Sequence, residues 1–114
     1  MSITADLLRG NTDAIILARL TESDSYGYQI NKSIREATNG RYELKEATLY
    51  TAFRRLEEAG CICSYWGDGD SGARRRYYSI TRHGTEVYNN YVSDWNEACD
   101  IISRLVSVKS GGDK

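Results

Sequence analysis

The 114-residue sequence has no proline, one histidine, one phenylalanine, one methionine and three cysteines. Each shortage excludes something. A proline-free chain lacks the commonest helix stop and reads as helix-rich. With His83 as the sole histidine, and no nucleophile motif around Thr81-Arg82-His83-Gly84, neither a Ser–His–Asp nor a Cys–His arrangement is supported. No G-x-x-x-x-G-K-[ST] or G-x-G-x-x-G phosphate loop occurs, so no catalytic residue, cofactor or enzymatic activity is expected. Cys61, Cys63 and Cys99 are odd in number and Cys61 and Cys63 lie two apart, not at C-x-x-C spacing, so no metal site is expected. Reduced thiols of a cytoplasmic protein fit better, read as small apolar side chains in or near the core. No apolar run approaches 18 residues, which excludes a membrane-spanning helix. The N-terminus lacks a basic segment followed by an apolar run, so no signal peptide is expected. Net charge is −1, which argues against a chain that coats nucleic acid along its whole length.

What is present is periodic. The length fits one domain of modest core. Leu7, Leu8, Ala14, Ile15, Ile16, Leu17 and Leu20 predict a helix over 5–20 with a broad apolar face. A second helix is expected over 26–37, capped by Ser25, with Gly27, Ile30, Ile34 and Ala37 on one side, and Asn39-Gly40 ends it. A third runs from about Glu46 to Ala59, with Leu49, Ala52, Phe53 and Leu56 sharing a face and Gly60 closing it. The runs 62–66 and 74–80 around a glycine-rich turn, 67–73, predict a hairpin with Arg76, Tyr78 and Ile80 on one face and Arg75 and Tyr77 on the other. The last helix is expected over 81–108, with Thr81 as its cap.

Along that last helix Tyr88, Val92, Trp95, Cys99, Ile102 and Val106 recur at steps of four and three, a heptad seam. Tyr91, Ala98, Ile101, Leu105 and Val108 widen it. So wide an apolar face predicts pairing of two chains. A tryptophan on such a seam is most often a buried interface anchor.

The order helix, helix, helix, hairpin, long helix predicts a mainly α fold with a small β-wing. Residues 1–80 form a winged helix-turn-helix, 81–108 a coiled-coil-like dimerisation helix and 109–114 a disordered tail. In that arrangement the third helix enters the major groove of double-stranded DNA. Its outer face is small, hydroxylated and basic: Ala47, Thr48, Tyr50, Thr51, Arg54 and Arg55, with Lys45 at its start. Arg74, Arg75 and Arg76 on the hairpin suit phosphates. Segment charges agree. Residues 61–82 hold four arginines against two aspartates, a net of +2; residues 83–114 hold three basic and five acidic side chains, a net of −2.

Several stretches resemble the PadR family of transcriptional regulators. They are Leu8-Arg9-Gly10, Ile16-Leu17-Ala18-Arg19-Leu20, Tyr26-Gly27-Tyr28-Gln29-Ile30, Ala47-Thr48-Leu49-Tyr50, Arg55-Leu56-Glu57 with Gly60, and Arg75-Arg76-Tyr77-Tyr78-Ser79-Ile80-Thr81 with Gly84. They occur in order over residues 7 to about 105. The single C-terminal helix is similar to the small PadR subfamily that includes multidrug-binding repressors. The resemblance implies a homodimeric repressor on a pseudo-palindromic operator, with a flat pore between subunits that takes planar aromatic or cationic molecules. Trp95 matches the stacking position of that pore, and Leu7, Gly10, Asp13, Ala14, Leu17, Tyr91, Val92 and Cys99 match its lining. Two positions depart from the pattern: Tyr91 replaces a small residue and can narrow the pore, and Cys99 replaces an acidic one. Two alternatives stay open. One is a repressor that answers to a metabolite or to thiol oxidation at Cys99 or Cys61. The other is a protein–protein interaction module built on the long helix.

Overall fold

The structure is a computed structural model, and it describes residues 2–68 and 74–106. The elements are α1 (Ile3–Gly10), α2 (Thr12–Glu22), α3 (Gly27–Ala37), α4 (Glu46–Glu58), β1 (Ile62–Asp68), β2 (Arg74–Ile80) and α5 (Arg82–Leu105). The helix expected over 5–20 is therefore two. The break falls at Asn11, whose side-chain amide donates to the Leu7 carbonyl at 2.5 Å while the Thr12 hydroxyl donates to that of Arg9 at 2.9 Å. Short polar side chains after Gly10 satisfy carbonyls that a continuing helix would have used.

α2, α3 and α4 enclose the core. Ile16, Leu17, Leu20, Ile30, Ile34, Leu49, Ala52, Phe53 and Leu56 are buried, with Leu44, Cys61, Ile62 and Tyr78. The single phenylalanine stacks on Tyr78 at 3.9 Å between centroids, tying α4 to the wing. Ala37, expected on the buried side of α3, is exposed in its last turn. Asn39 and Gly40 reverse the chain in left-handed backbone, φ 54° and 78°. Asn31 then holds Leu44 through both its amide groups, at 2.7 and 2.8 Å, and so fixes where α4 starts. Gly60, at φ 79°, ends α4 as expected.

Ser25 is not the cap of α3. Tyr26 occupies that position without a side-chain cap bond, and Ser25 exchanges two backbone hydrogen bonds with Tyr78, at 3.1 and 2.7 Å. A buried serine beside an open strand edge satisfies more backbone there than it would as a cap. β1 and β2 pair antiparallel from Ile62 opposite Ile80 to Asp68 opposite Arg74. Gly67 and Asp68, expected in the turn, thus belong to the ladder, and the rest of the turn, 69–73, lies outside the described residues. Of the cysteines, Cys61 alone is buried; Cys63 points off the outer wing face and Cys99 off α5, so only one is a core residue.

Thr81 locks α5 to the turn after α4. Its hydroxyl donates to the Gly60 carbonyl at 2.6 Å and accepts from the Gly84 amide at 2.9 Å, and its own amide donates to the Cys61 carbonyl at 2.9 Å. Gly84 lies so near that a Cβ there would stand 2.0 Å from the Cys61 carbonyl oxygen. The helix ends at Leu105, short of the expected 108, because Val106 turns to extended backbone. Residues 107–114, including the expected tail, lie outside the described residues. Beyond Gly84, α5 buries little. Tyr88 packs against the core from the side, while Trp95, Ile101, Ile102, Leu105 and Val106 are exposed.

Candidate nucleic-acid interface and the adjoining cavities

The outer face of α4 is as the periodicity requires. Burial of Leu49, Ala52, Phe53 and Leu56 on one side turns Ala47, Thr48, Tyr50, Thr51, Arg54 and Arg55 to the other, all exposed. Lys45 stands exposed at the N-cap position in extended backbone, and it makes no side-chain cap bond because an ammonium has no acceptor to offer the helix amides.

The wing is held against α3 and α4 by aromatic rings. Tyr65 stacks on Tyr77 at 5.7 Å, Tyr77 meets Tyr26 edge-on at 5.3 Å, and Gly67 leaves room for the Tyr77 ring, which a Cβ would approach to 2.7 Å. The Tyr65 hydroxyl donates to Asp24 at 2.6 Å, and that bond, with burial second, pushes the Tyr65 pKa up to about 12.

The three wing arginines separate. Arg74 lies over Trp66 at 5.4 Å and Arg75 over Tyr26 at 4.7 Å. Arg76 also lies over a ring, that of Tyr78 at 5.8 Å, but among the described residues it alone of the three has polar partners: it donates to the Ser64 hydroxyl at 2.9 Å and to Glu57 at 3.4 Å, and that hydroxyl donates to Glu57 at 2.8 Å. With Tyr26, Gly27, Tyr28 and Tyr50 these arginines line a hollow of about 320 Å³ between wing and helices. Guanidinium planes on aromatic faces keep their charge and outer donors free for phosphate. Tyr26, Tyr28 and Trp66 are absent from the residues expected from the sequence to meet DNA, although the interleaving of arginine with aromatic residues carries that signal.

Arg55 behaves differently from its neighbours on α4. Its Nε donates to one Asp13 oxygen at 3.2 Å and its Nη2 to the other, a two-pronged ion pair between α4 and α2. The hydrogen bonds to Asp13 raise the Arg55 pKa. The pair stands in the wall of a cavity of about 510 Å³ between α2, α4 and the start of α5, with Gly10, Leu17, Cys61, His83 and Tyr91 also lining it. Burial, then the Asp13 charge, pushes the Cys61 thiol up, so its thiolate is disfavoured.

A second cavity, about 460 Å³, lies along α1, α2 and α5, with Leu7, Ala14, Tyr91, Val92 and Trp95 in its wall. The residues matched to a pore therefore sort into two groups. Leu7, Val92 and Trp95 border the second cavity, and Gly10, Asp13 and Leu17 the first. Ala14 and Tyr91 border both, and Cys99 borders neither. The Tyr91 ring lies nearly parallel to Trp95, centroids 6.4 Å apart. Among the described residues no His/Cys/Asp/Glu cluster fits a metal ion and no helix is long and apolar enough to cross a membrane.

The model of the transcriptional regulator PadR-like family matches residues 16–90. An uncharacterized protein of Lysinibacillus sphaericus is 42% identical over 100 residues, 88% of this chain and 92% of its own length. Among solved structures, a transcriptional regulator from Clostridium thermocellum is 44% identical at TM-score 0.83, covering 93% of this chain and 100% of that one. A PadR family transcription regulator from Clostridium difficile is 32% identical at TM-score 0.74, covering 83% and 97%. One from Eggerthella lenta is 31% identical at TM-score 0.81, covering 94% and 91%.

Proposed function

The chain belongs to the PadR-like family of transcriptional regulators, and on that premise we propose that it is a cytoplasmic, homodimeric repressor reading a pseudo-palindromic operator through α4 and the wing. It is a DNA-binding regulator, not an enzyme. The observation that carries the docking mode is the continuous surface made by the exposed face of α4 and the aromatic-backed Arg74 and Arg75. Short side chains at Ala47, Thr48 and Thr51 let the helix backbone approach base edges, with Lys45, Tyr50 and Arg54 around them. The wing reaches flanking phosphates. Residues 1–80 act as the reading unit and α5 as the pairing helix. The exposed stripe Trp95, Ile102 and Val106, continuous with the half-buried Tyr88 and Val92 and with exposed Cys99, supports pairing through that face. It also disfavours a lone interaction module, since the stripe is self-complementary at heptad spacing.

The test is operator binding by fluorescence anisotropy at several salt concentrations. Affinity falls as salt rises, and joint replacement of Arg54, Arg74 and Arg75 by alanine abolishes specific binding. Undiminished affinity in the triple variant refutes this docking. A ligand response is favoured by the cavity beside Trp95, open to a planar aromatic or cationic molecule. Tyr91 stacked on Trp95 occupies part of the space such a molecule needs. Quenching of Trp95 fluorescence by a planar dye, stronger in Tyr91→Ala, is the expected outcome. A thiol switch at Cys61 is disfavoured by its burial and raised pKa.

A further inference from the structure

Among the described residues, Trp66 is the one wing ring that the fold does not use. Tyr65 and Tyr77 pack toward Asp24 and Tyr26 on one face, and Tyr78 stacks on Phe53 on the other. Trp66 is 56% exposed, and Arg74 lies over its ring at 5.4 Å. Its indole N–H, which can donate but not accept, makes no hydrogen bond among the described residues. The hairpin sets how far the ring projects. Trp66 lies four residues out from Ile62, where the ladder leaves the core, and the last pair, Asp68 with Arg74, lies two further. At about 3.3 Å per residue, the ring stands roughly 13 Å and that pair roughly 20 Å from the root. Half a turn of DNA is about 17 Å, the step from a major groove to the next minor groove. Arg74 also borders the hollow it shares with Tyr50, so Trp66 continues outward the surface on which α4 lies. Asp68 is exposed opposite Arg74, so contact of this end with DNA rests on more than charge.

A ring of this kind has a matching site on DNA. The minor groove is about 6 Å wide, enough for an indole edge-on. A·T pairs show only acceptors on its floor, adenine N3 and thymine O2, whereas G·C pairs add the guanine amino donor. The indole N–H pairs with the first and meets the second donor to donor. The narrow groove of A·T tracts also attracts an arginine, and Arg74 lies beside the ring. We propose that Trp66, flanked by Arg74, enters the minor groove beside each half-site and selects A·T pairs there. The inference rests on the reading of the chain as a regulator docked through α4 and the wing, and it adds base selection to a wing otherwise assigned to phosphates. Roughly 100 Å² of indole is left to bury, which caps the contribution at about seventyfold. About tenfold per half-site is expected once ordering costs are met.

The probe is a duplex library of about 30 random base pairs, long enough for two half-sites one turn apart and their flanks. Selection with the wild type is expected to return a pseudo-palindromic core with A·T-rich positions outside it. Trp66→Ala should return the same core with random flanks. Anisotropy on the selected duplex should show about tenfold weaker binding per half-site in Trp66→Ala, with the salt slope unchanged because no charge is lost. Trp66→Phe keeps a ring without the N–H. It should recover part of the affinity but not the preference for A·T over G·C flanks, two readouts that a damaged wing would not separate. Without any substitution, acrylamide quenching of tryptophan emission should fall when the A·T-flanked duplex is added, and fall less with G·C flanks. Random flanks selected by the wild type, an A·T preference that survives in either variant, or equal quenching on the two duplexes overturns the proposal. So does altered sedimentation of DNA-free Trp66→Ala, which would assign the ring to a contact between copies of the chain. If Trp66→Ala does not fold, Trp66→Phe and the quenching decide. A wild type that enriches no core refutes the regulator reading and this proposal with it. A core with random flanks leaves that reading standing and removes only the role of Trp66.

Discussion

Replacing Arg74 or Arg76 by alanine, side by side, tests whether partners inside the fold decide which arginines meet DNA. Both belong to one triplet on β2, and the sequence alone treats them alike. In the structure Arg74 has no carboxylate partner among the described residues and lies over Trp66. Arg76 is bound to Glu57 and Ser64, on the strand face turned toward the end of α4. To reach a phosphate it must leave a carboxylate behind, and Arg74 need not. By the same criterion Arg54, Arg75 and Lys45 are free to meet DNA, and Arg55 is engaged with Asp13. On the proposed homodimeric docking, these four cations of each subunit make about eight phosphate contacts per dimer. At about −0.9 per contact the expected slope of log affinity against log salt is roughly −7. Arg74→Ala removes two contacts from the dimer and flattens that slope by about 1.8. Arg76→Ala should flatten it by less than half as much. It acts instead on stability, since Glu57 and Ser64 lose their donor at the joint between α4 and the wing. The assay is operator anisotropy from about 50 to 300 mM salt, with thermal melts of each variant alongside. If Arg76→Ala flattens the slope as much as Arg74→Ala, then ion pairing within the fold does not sort these arginines, and the same reasoning fails for Arg55.

Three further outcomes follow from the geometry. Gly84→Ala drives a methyl against the Cys61 carbonyl, a backbone atom that cannot swing aside; the cost is expected at the upper end of overpacking, about 2–3 kcal/mol, a fall of roughly 10 °C in melting temperature by calorimetry, and a wild-type melt would disprove the contact. Tyr65 holds Asp24 only while protonated; its folded pKa is raised from 10 to about 12, so this contribution is present below pH 10 and lost as pH rises toward 12. The gap in melting temperature between wild type and Tyr65→Phe should therefore be constant at pH 7–9 and narrow above pH 10, and a gap that widens there contradicts the bond. Ile102→Asp, at a site 57% exposed in the single chain, should leave helix content unchanged yet give a monomer by sedimentation at concentrations where the wild type is a dimer; a dimer that persists places the interface elsewhere.

How far the sequence carried the reading depended on the range of the interaction. Where one element's own periodicity decides, it was legible. The buried face of α4, the two faces of the hairpin and the Thr81 cap follow from spacing alone. Where a residue's partner lies far along the chain, spacing is silent. Ser25 reads as a cap because nothing local reveals that Tyr78 offers it a strand edge 53 positions later. The break at Asn11 was masked by a continuous apolar pattern, since hydrophobic period reports which side is buried and not whether the backbone bonds run through. The same limit governs the functional site. Fifteen basic side chains can be counted in the sequence, but Asp13 is 42 positions from Arg55 and Glu57 19 from Arg76. Only the fold brings those acids to those bases. The near-neutral total therefore hides two kinds of arginine: those with no carboxylate partner among the described residues, such as Arg54, Arg74 and Arg75, and those whose charge is already answered, such as Arg55 and Arg76, which tie together the elements that carry the first kind. On the proposed docking, the basic triplet and the basic helix face mark where nucleic acid approaches, and the acids folded against them, Asp13 and Glu57, select which arginines remain to make the contact.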